Sequence, residues 1–128
     1  MGVHGIGIDL VEVPRIAAAI QKHGAPYLER VFTEGERAYC DKQHEPAIHY
    51  AARFAAKEAV AKAFGTGIGE YAGLHELEVI HDERGAPKMA LHGAAKDFAK
   101  DRGIDHVLIS LTHTKDHAAA NAVAVTTA

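Results

Sequence analysis

The chain has 128 residues, the length of one domain, and its 48% hydrophobic and 24% charged residues fit a globular protein with its own core, excluding a disordered or collagen-like chain. Lys plus Arg number 14 against 17 Asp plus Glu, and the resulting net charge of −3 argues against nucleic acid or an anionic membrane as the partner. Cys40 is the only cysteine and no apolar run approaches the ~18 residues of a membrane span, so the sequence predicts a soluble protein of a reducing, cytoplasmic compartment.

Val3, Ile6 and Ile8 stand among glycines and predict a short buried strand ending at Asp9. Pro14 suits the first turn of a helix, where its missing N–H would have no partner, and Gly24 ends that helix. Thr33 and Glu36 form a T-x-x-E capping box, which predicts a second helix over 34–42. Pro46 opens the longest helix, which runs through Phe64 and stops at Gly65. Beyond Gly73 the pattern changes: Leu77, Val79 and Ile80, then Asp82-Glu83-Arg84-Gly85, then Met89 and Leu91 read as strand, turn and strand. Residues 93–102 read as a helix with Ala94, Ala95, Phe98 and Ala99 on its apolar side, and 106–111 with 118–125 as a closing hairpin. The expectation is one α+β domain over residues 1–128, with a mostly antiparallel sheet packed against the long helix.

Three segments offer chemistry. On the long helix, at ~100° per residue, Ile48, Ala52, Ala56, Ala59, Val60, Ala63 and Phe64 fall within one arc, while Glu58 and Lys62 share another face. Spacing alone fits an exposed Glu-to-Lys pair. The charges of Arg53, Lys57, Glu58 and Lys62, however, run into Gly65-Thr66-Gly67-Ile68-Gly69, where glycines let a polyanion approach the backbone. No Gly-Lys-Ser/Thr follows, and the loop leaves a helix instead of entering one, so it is not a Walker A loop. Asp9, just past the first strand, is either a turn aspartate or a rigid ligand; with Glu58 it would make a pair of hard oxygen donors suited to Mg²⁺. The third segment is Ser110-Leu111-Thr112-His113-Thr114-Lys115, at the tip of the last hairpin. His113 and His117 have an H-x3-H spacing, but a hairpin does not put both on one side and no further ligands accompany them. Scattered surface histidines are therefore favoured over a zinc site. Ser110, His113 and Asp116 could be written as a triad, yet no nucleophile elbow surrounds the serine, and nothing supports Cys40 as a nucleophile. On the helix after Pro14, Arg15 and Lys22 lie seven residues apart and project together past Ala18 and Ala19, either as a solvated face or as a docking strip for an acidic helix.

Gly5-Ile6-Gly7-Ile8-Asp9, the run from Arg53-Phe54-Ala55-Ala56-Lys57-Glu58 to Lys62 and Gly65-Thr66-Gly67, and Ser110-Leu111-Thr112-His113 together resemble the short bacterial type of holo-acyl-carrier-protein synthases, a family of phosphopantetheinyl transferases. The resemblance spans nearly the whole chain and carries the functional expectation. It implies transfer of 4′-phosphopantetheine from coenzyme A to a serine of apo-acyl-carrier protein, releasing adenosine 3′,5′-bisphosphate. It implies that Asp9 and Glu58 bind Mg²⁺, that Glu58 deprotonates the serine directly or through water, and that Lys62 stabilises charge on the pyrophosphate. Arg53, Gly65, His113 and Thr114 would hold the nucleotide end, and Arg15 with Lys22 would dock the carrier. It also implies a homotrimer with sites between subunits. This chain departs from the family in placing Ala59 after Glu58, where serine is common, and Lys22 and Ala19 on the docking helix. A carrier-binding module that keeps the fold without catalysis is the alternative, and the intact set Asp9, Glu58, Lys62 and His113 argues against it.

Overall fold

β1 spans Gly2–Glu12 and is longer than the sequence pattern predicts, because its partner strand pairs with it from Gly2 opposite Thr126 to Glu12 opposite His117. This computed structural model describes residues 1–127. The chain continues through α1 (Val13–His23), α2 (Ala25–Val31), α3 (Glu34–Asp41) and α4 (Pro46–Phe64). A 3-10 turn at Leu74–Glu76 leads into β2 (Leu77–His81) and β3 (Pro87–Leu91), followed by α5 (Gly93–Asp101), β4 (Ile104–His113) and β5 (His117–Thr126). β1, β5 and β4 form an antiparallel sheet in that order, and β2 pairs with β3 as a separate antiparallel hairpin. The α+β expectation holds. The extra helix, α2, has no periodic stripe to announce it in seven residues; Gly24, at φ 63°, ends α1 and starts α2 in one step.

α4 lies across the sheet, and small residues let it sit flush. Ala118, Ala120, Ala122 and Ala124 of β5 are buried beneath it. Gly5 and Gly7 of β1 are required there: a Cβ on Gly7 would fall 1.9 Å from the Ala59 carbonyl oxygen, and one on Gly5 2.2 Å from that of Ala63. The glycines face the helix, so by strand alternation the intervening aliphatic residues face away. Ile6, Ile8 and Leu10 are 73%, 70% and 69% exposed. The first strand is therefore not the buried one its composition suggests; its glycine face is the core face, and its aliphatic face is bare. Leu108 of β4, opposite Val123 and so in line with Ile6, extends the same open surface.

The single arc expected on α4 is also corrected. Ile48 is only half-buried, whereas Ala51, Ala55, Ala61, Arg53 and Lys57 are buried on other faces because α1, α3 and β2 close around the helix. From Tyr50 to Phe64, only Phe54, Glu58 and Lys62 escape full burial, one residue per turn at i, i+4 and i+8. Lys57 is no surface cation. Its ammonium pairs with Glu36 at 2.7 Å, both side chains 0% exposed, and donates to the carbonyls of Leu74 (2.8 Å) and Leu77. Glu36 also accepts from the N–H groups of Thr33 (2.9 Å) and Val79 (2.8 Å), completing the predicted capping box and tying α3 to β2. Among the described residues no helix is long and apolar enough to cross a membrane.

Candidate active site

The open stripe of α4 forms one wall of a cleft of ≈ 500 Å³, lined by Asp9, Leu10 and Val11 of β1, Arg15 and Ile16 of α1, Tyr27 of α2, and Phe54, Glu58 and Lys62. Asp9 lies within β1, opposite Ala120, not beyond its end. It shares the strand face of Gly5 and Gly7, which is why it meets α4. Lys62 donates to Asp9 Oδ1 at 3.1 Å and to the Ile8 carbonyl at 2.9 Å, so the lysine ties the helix to the strand at the mouth of the cleft. Burial, and then the like charge of Asp9, hold the Glu58 carboxyl above its ordinary pKa, while Lys62 pulls it back. Two carboxylates facing one cleft, one raised partly by the other, are a donor set for a hard cation. Among the described residues no cluster of three or more His, Cys, Asp or Glu is placed to hold a metal, so a divalent ion here would complete its shell from substrate and water.

A second constellation forms on another side of α4. Arg53 and Glu58 are five residues apart, about 140° around the helix, and Arg53 does not line the cleft. Arg53 is 3% exposed, with its guanidinium carbon 4.3 Å from the Tyr39 ring centre. It donates to His81 Nε2 at 3.1 Å and to the His49 carbonyl at 3.4 Å. The rings of His49 and His113 meet edge-on with centres 5.5 Å apart, so His113 joins Arg53 through His49. Burial and the Arg53 charge lower the pKa of both His49 and His81, with His113 adding to the effect at His49 and Asp82 opposing it at His81. Tyr39, His49 and His81 were not singled out in the sequence. His49 is one turn before Arg53 and could have been read from the helix; the other two arrive from α3 and β2 through tertiary packing alone.

The remaining expected residues are scattered. Gly65 caps α4 at φ 86°, and the N–H groups of Gly65, Thr66 and Gly67 all turn back to carbonyls of Ala61 or Lys62. These three amides are therefore not free for a ligand, as expected where a helix ends on its carbonyl pole. Thr114 closes the β4–β5 turn by accepting the His117 N–H at 3.1 Å. Ser110 sits within β4 and not at the hairpin tip, which is formed by Thr114, Lys115 and Asp116. Arg15 lines the cleft, while Lys22 lies near the end of α1, exposed and outside it. Tyr27, unnoticed in the sequence, and Phe54, quoted there only as part of the motif, supply the cleft's apolar wall.

Residues 5–123 match the model of the 4′-phosphopantetheinyl transferase superfamily. A holo-[acyl-carrier-protein] synthase from Syntrophus aciditrophicus is 45% identical over 118 residues, 92% of each chain. One from Chlamydia trachomatis is 43% identical over 120 residues, covering 94% of this chain and 98% of the relative. The crystal structure of the Neisseria meningitidis holo-[acyl-carrier-protein] synthase superposes with a TM-score of 0.90 at 33% identity, over 96% of this chain and 98% of that one. The Helicobacter pylori synthase in complex with coenzyme A superposes with a TM-score of 0.84 at 28% identity, over 94% and 99%.

Proposed function

The chain belongs to the 4′-phosphopantetheinyl transferase superfamily and transfers 4′-phosphopantetheine from coenzyme A to a serine of apo-acyl-carrier protein, and we propose that it does so at the cleft between β1 and the open stripe of α4, in the cytoplasm. The observation that supports this placement is the convergence of Asp9, Glu58 and Lys62 on one cleft, with Glu58 raised in pKa. The reaction joins the serine oxygen to the phosphoryl group of the pantetheine arm and breaks its bond to the bridging oxygen of the pyrophosphate. The serine proton goes to a base, and adenosine 3′,5′-bisphosphate leaves.

Glu58 fits the base, because burial and Asp9 lift its carboxyl above the ordinary pKa, and a carboxylate so lifted takes a proton more readily. Asp9 and Glu58 would hold Mg²⁺, which would supply positive charge to offset that of the pyrophosphate. Lys62, anchored by Asp9 and the Ile8 carbonyl, places a cation beside the same oxygens. Tyr27 and Phe54 exclude water from one side, and Arg15 extends the cationic edge toward an incoming acidic carrier. Arg53 and His113 are assigned to the nucleotide end of coenzyme A, with Gly65 and Thr114 beside it.

The two constellations lie on different sides of α4, which supports a site completed between copies. The bare face of Ile6, Ile8, Leu10 and Leu108 offers the apolar surface for such an assembly, read here as a homotrimer. The test is intact-mass analysis of apo-carrier incubated with the protein and coenzyme A, with and without Mg²⁺. A carrier gaining one phosphopantetheine arm only with the metal is the expected result. An unmodified carrier under all conditions overturns the transferase reading, and Mg²⁺-independent modification removes the metal from it.

A further inference from the structure

Arg53 is almost fully buried, yet among the described residues no carboxylate lies within salt-bridge distance of it, and its Nε has no hydrogen-bond partner. A buried cation without a counter-ion is costly unless an anion completes it. Among the described residues only two of the five guanidinium N–H groups are taken, by the His49 carbonyl and His81 Nε2. Because arginine can only donate, His81 must accept at Nε2 and carry its proton on Nδ1. The imidazole cannot swing away easily: it stacks on Tyr39, ring centres 4.4 Å apart and planes 22° from parallel, while the same Tyr39 ring lies under the guanidinium. Tyr39 and His81 thus form a two-sided cradle, one supplying a flat π surface and the other a fixed acceptor.

We propose that His81, held by Tyr39, is a positioning residue that orients Arg53 toward the terminal phosphate monoester of coenzyme A. This rests on the assignment of Arg53 to the nucleotide end. A monoester dianion suits a guanidinium with unpaired N–H groups better than the pyrophosphate does, since the pyrophosphate is already served by Lys62 and the cation-binding carboxylates. His81 touches no substrate; it fixes which N–H groups remain for the phosphate. Burial and the Arg53 charge lower the pKa of His81, which favours the neutral form that the hydrogen-bond geometry already requires.

The experiment compares coenzyme A with 3′-dephospho-coenzyme A as donors for the wild type, His81→Phe, His81→Gln and Arg53→Met, with thermal melts confirming that each variant is folded. His81→Phe keeps the stack on Tyr39 and removes the acceptor; His81→Gln restores an acceptor. Losing a hydrogen bond to a charged group predicts a KM for coenzyme A raised about tenfold or more in His81→Phe. Its kcat and its KM for the dephospho donor should stay near wild type, and His81→Gln should recover the KM for coenzyme A. Equal losses with both donors, or His81→Gln failing as His81→Phe does, would overturn the proposal by showing a general structural role. A wild-type KM in His81→Phe alongside a raised one in Arg53→Met refutes the proposal alone. An unchanged KM in Arg53→Met refutes the nucleotide-end assignment and the proposal with it.

Discussion

Replacing Lys57 by Met tests whether the buried ion pair beneath the site holds α4 in place. Lys57 and Glu36 are both fully buried, and burial pushes the Lys57 ammonium below its ordinary pKa while Glu36 pushes back. Methionine fits the same volume but leaves the Glu36 charge in the core with only the Thr33 and Val79 N–H groups, and it strips the Leu74 and Leu77 carbonyls of their donor. Removing one partner of such a pair costs about 3–5 kcal/mol. An unfolding entropy of ~2.1 cal/mol/K per residue over the 128 residues means each kcal/mol moves Tm by about 4 °C, so the variant should melt roughly 10–20 °C lower. Urea titration with fixed protein concentration gives the free energy directly. Glu36→Gln should fall in the same range, and the Lys57→Met/Glu36→Gln double variant should be far less damaged than the sum, since no unpaired charge remains. A single Lys57→Met within about 1 kcal/mol of wild type would show that the core tolerates the lone carboxylate, and the argument for a pinned helix would fail.

Glu58→Gln should lower carrier modification by about 10²–10⁴-fold, the range of a lost general base, in intact-mass assays. Its melting temperature should hold or rise: the folded pKa lies above the unfolded one, so ionised Glu58 costs stability as pH climbs through that window, and glutamine removes the cost. In Mg²⁺-free buffer, Asp9→Asn should lower the Glu58 pKa and Lys62→Met should raise it, as read from carboxyl carbon shifts; unchanged titration in both would sever the three groups. Gly7→Ala places a methyl group against the Ala59 carbonyl and should cost at least ~1–3 kcal/mol in urea unfolding, whereas an equal stability would show that α4 can lift from β1 at no cost. Reversing Arg15 and Lys22 to Glu should raise the carrier KM, most at low salt, and leave coenzyme A affinity near wild type; the opposite split would place α1 in the nucleotide site.

Much of this was legible in the sequence because the signals were local. The Thr33–Glu36 box, the prolines at helix starts and the glycines at helix ends set α1, α3 and α4 close to their observed bounds. Asp9, Glu58 and Lys62 were visible as a charged constellation, and the structure brings them to one cleft. What escaped depends on tertiary packing. Composition could not say which face of β1 is buried, since glycine reads as a turn former until a helix backbone is found against it. Nor could it separate Lys57 from Lys62: both are lysines on one helix, and only the arrival of Glu36 makes one a core residue. His81 and Tyr39 give no local signal at all, because their meaning lies in the arginine they share.

α4 links these observations physically. A helix buried on nearly every side has its rotation fixed by its neighbours, and the side chains left over become the ones available for chemistry. Here Gly5 and Gly7 set its height above β1, and the Lys57–Glu36 pair sets its rotation from the opposite side. Phe54, Glu58 and Lys62 are what remain uncovered toward the cleft, and Asp9 reaches them because it shares the glycine face of β1. The same rotation turns Arg53 into the Tyr39–His81 cradle and away from Glu58. A change that turned the helix by even a fraction of the ~100° between successive residues would displace Glu58 and the buried arginine together. Coupled losses at both constellations from a core substitution such as Gly7→Ala are therefore the expected mark of this architecture, in contrast to the donor-selective loss expected at His81.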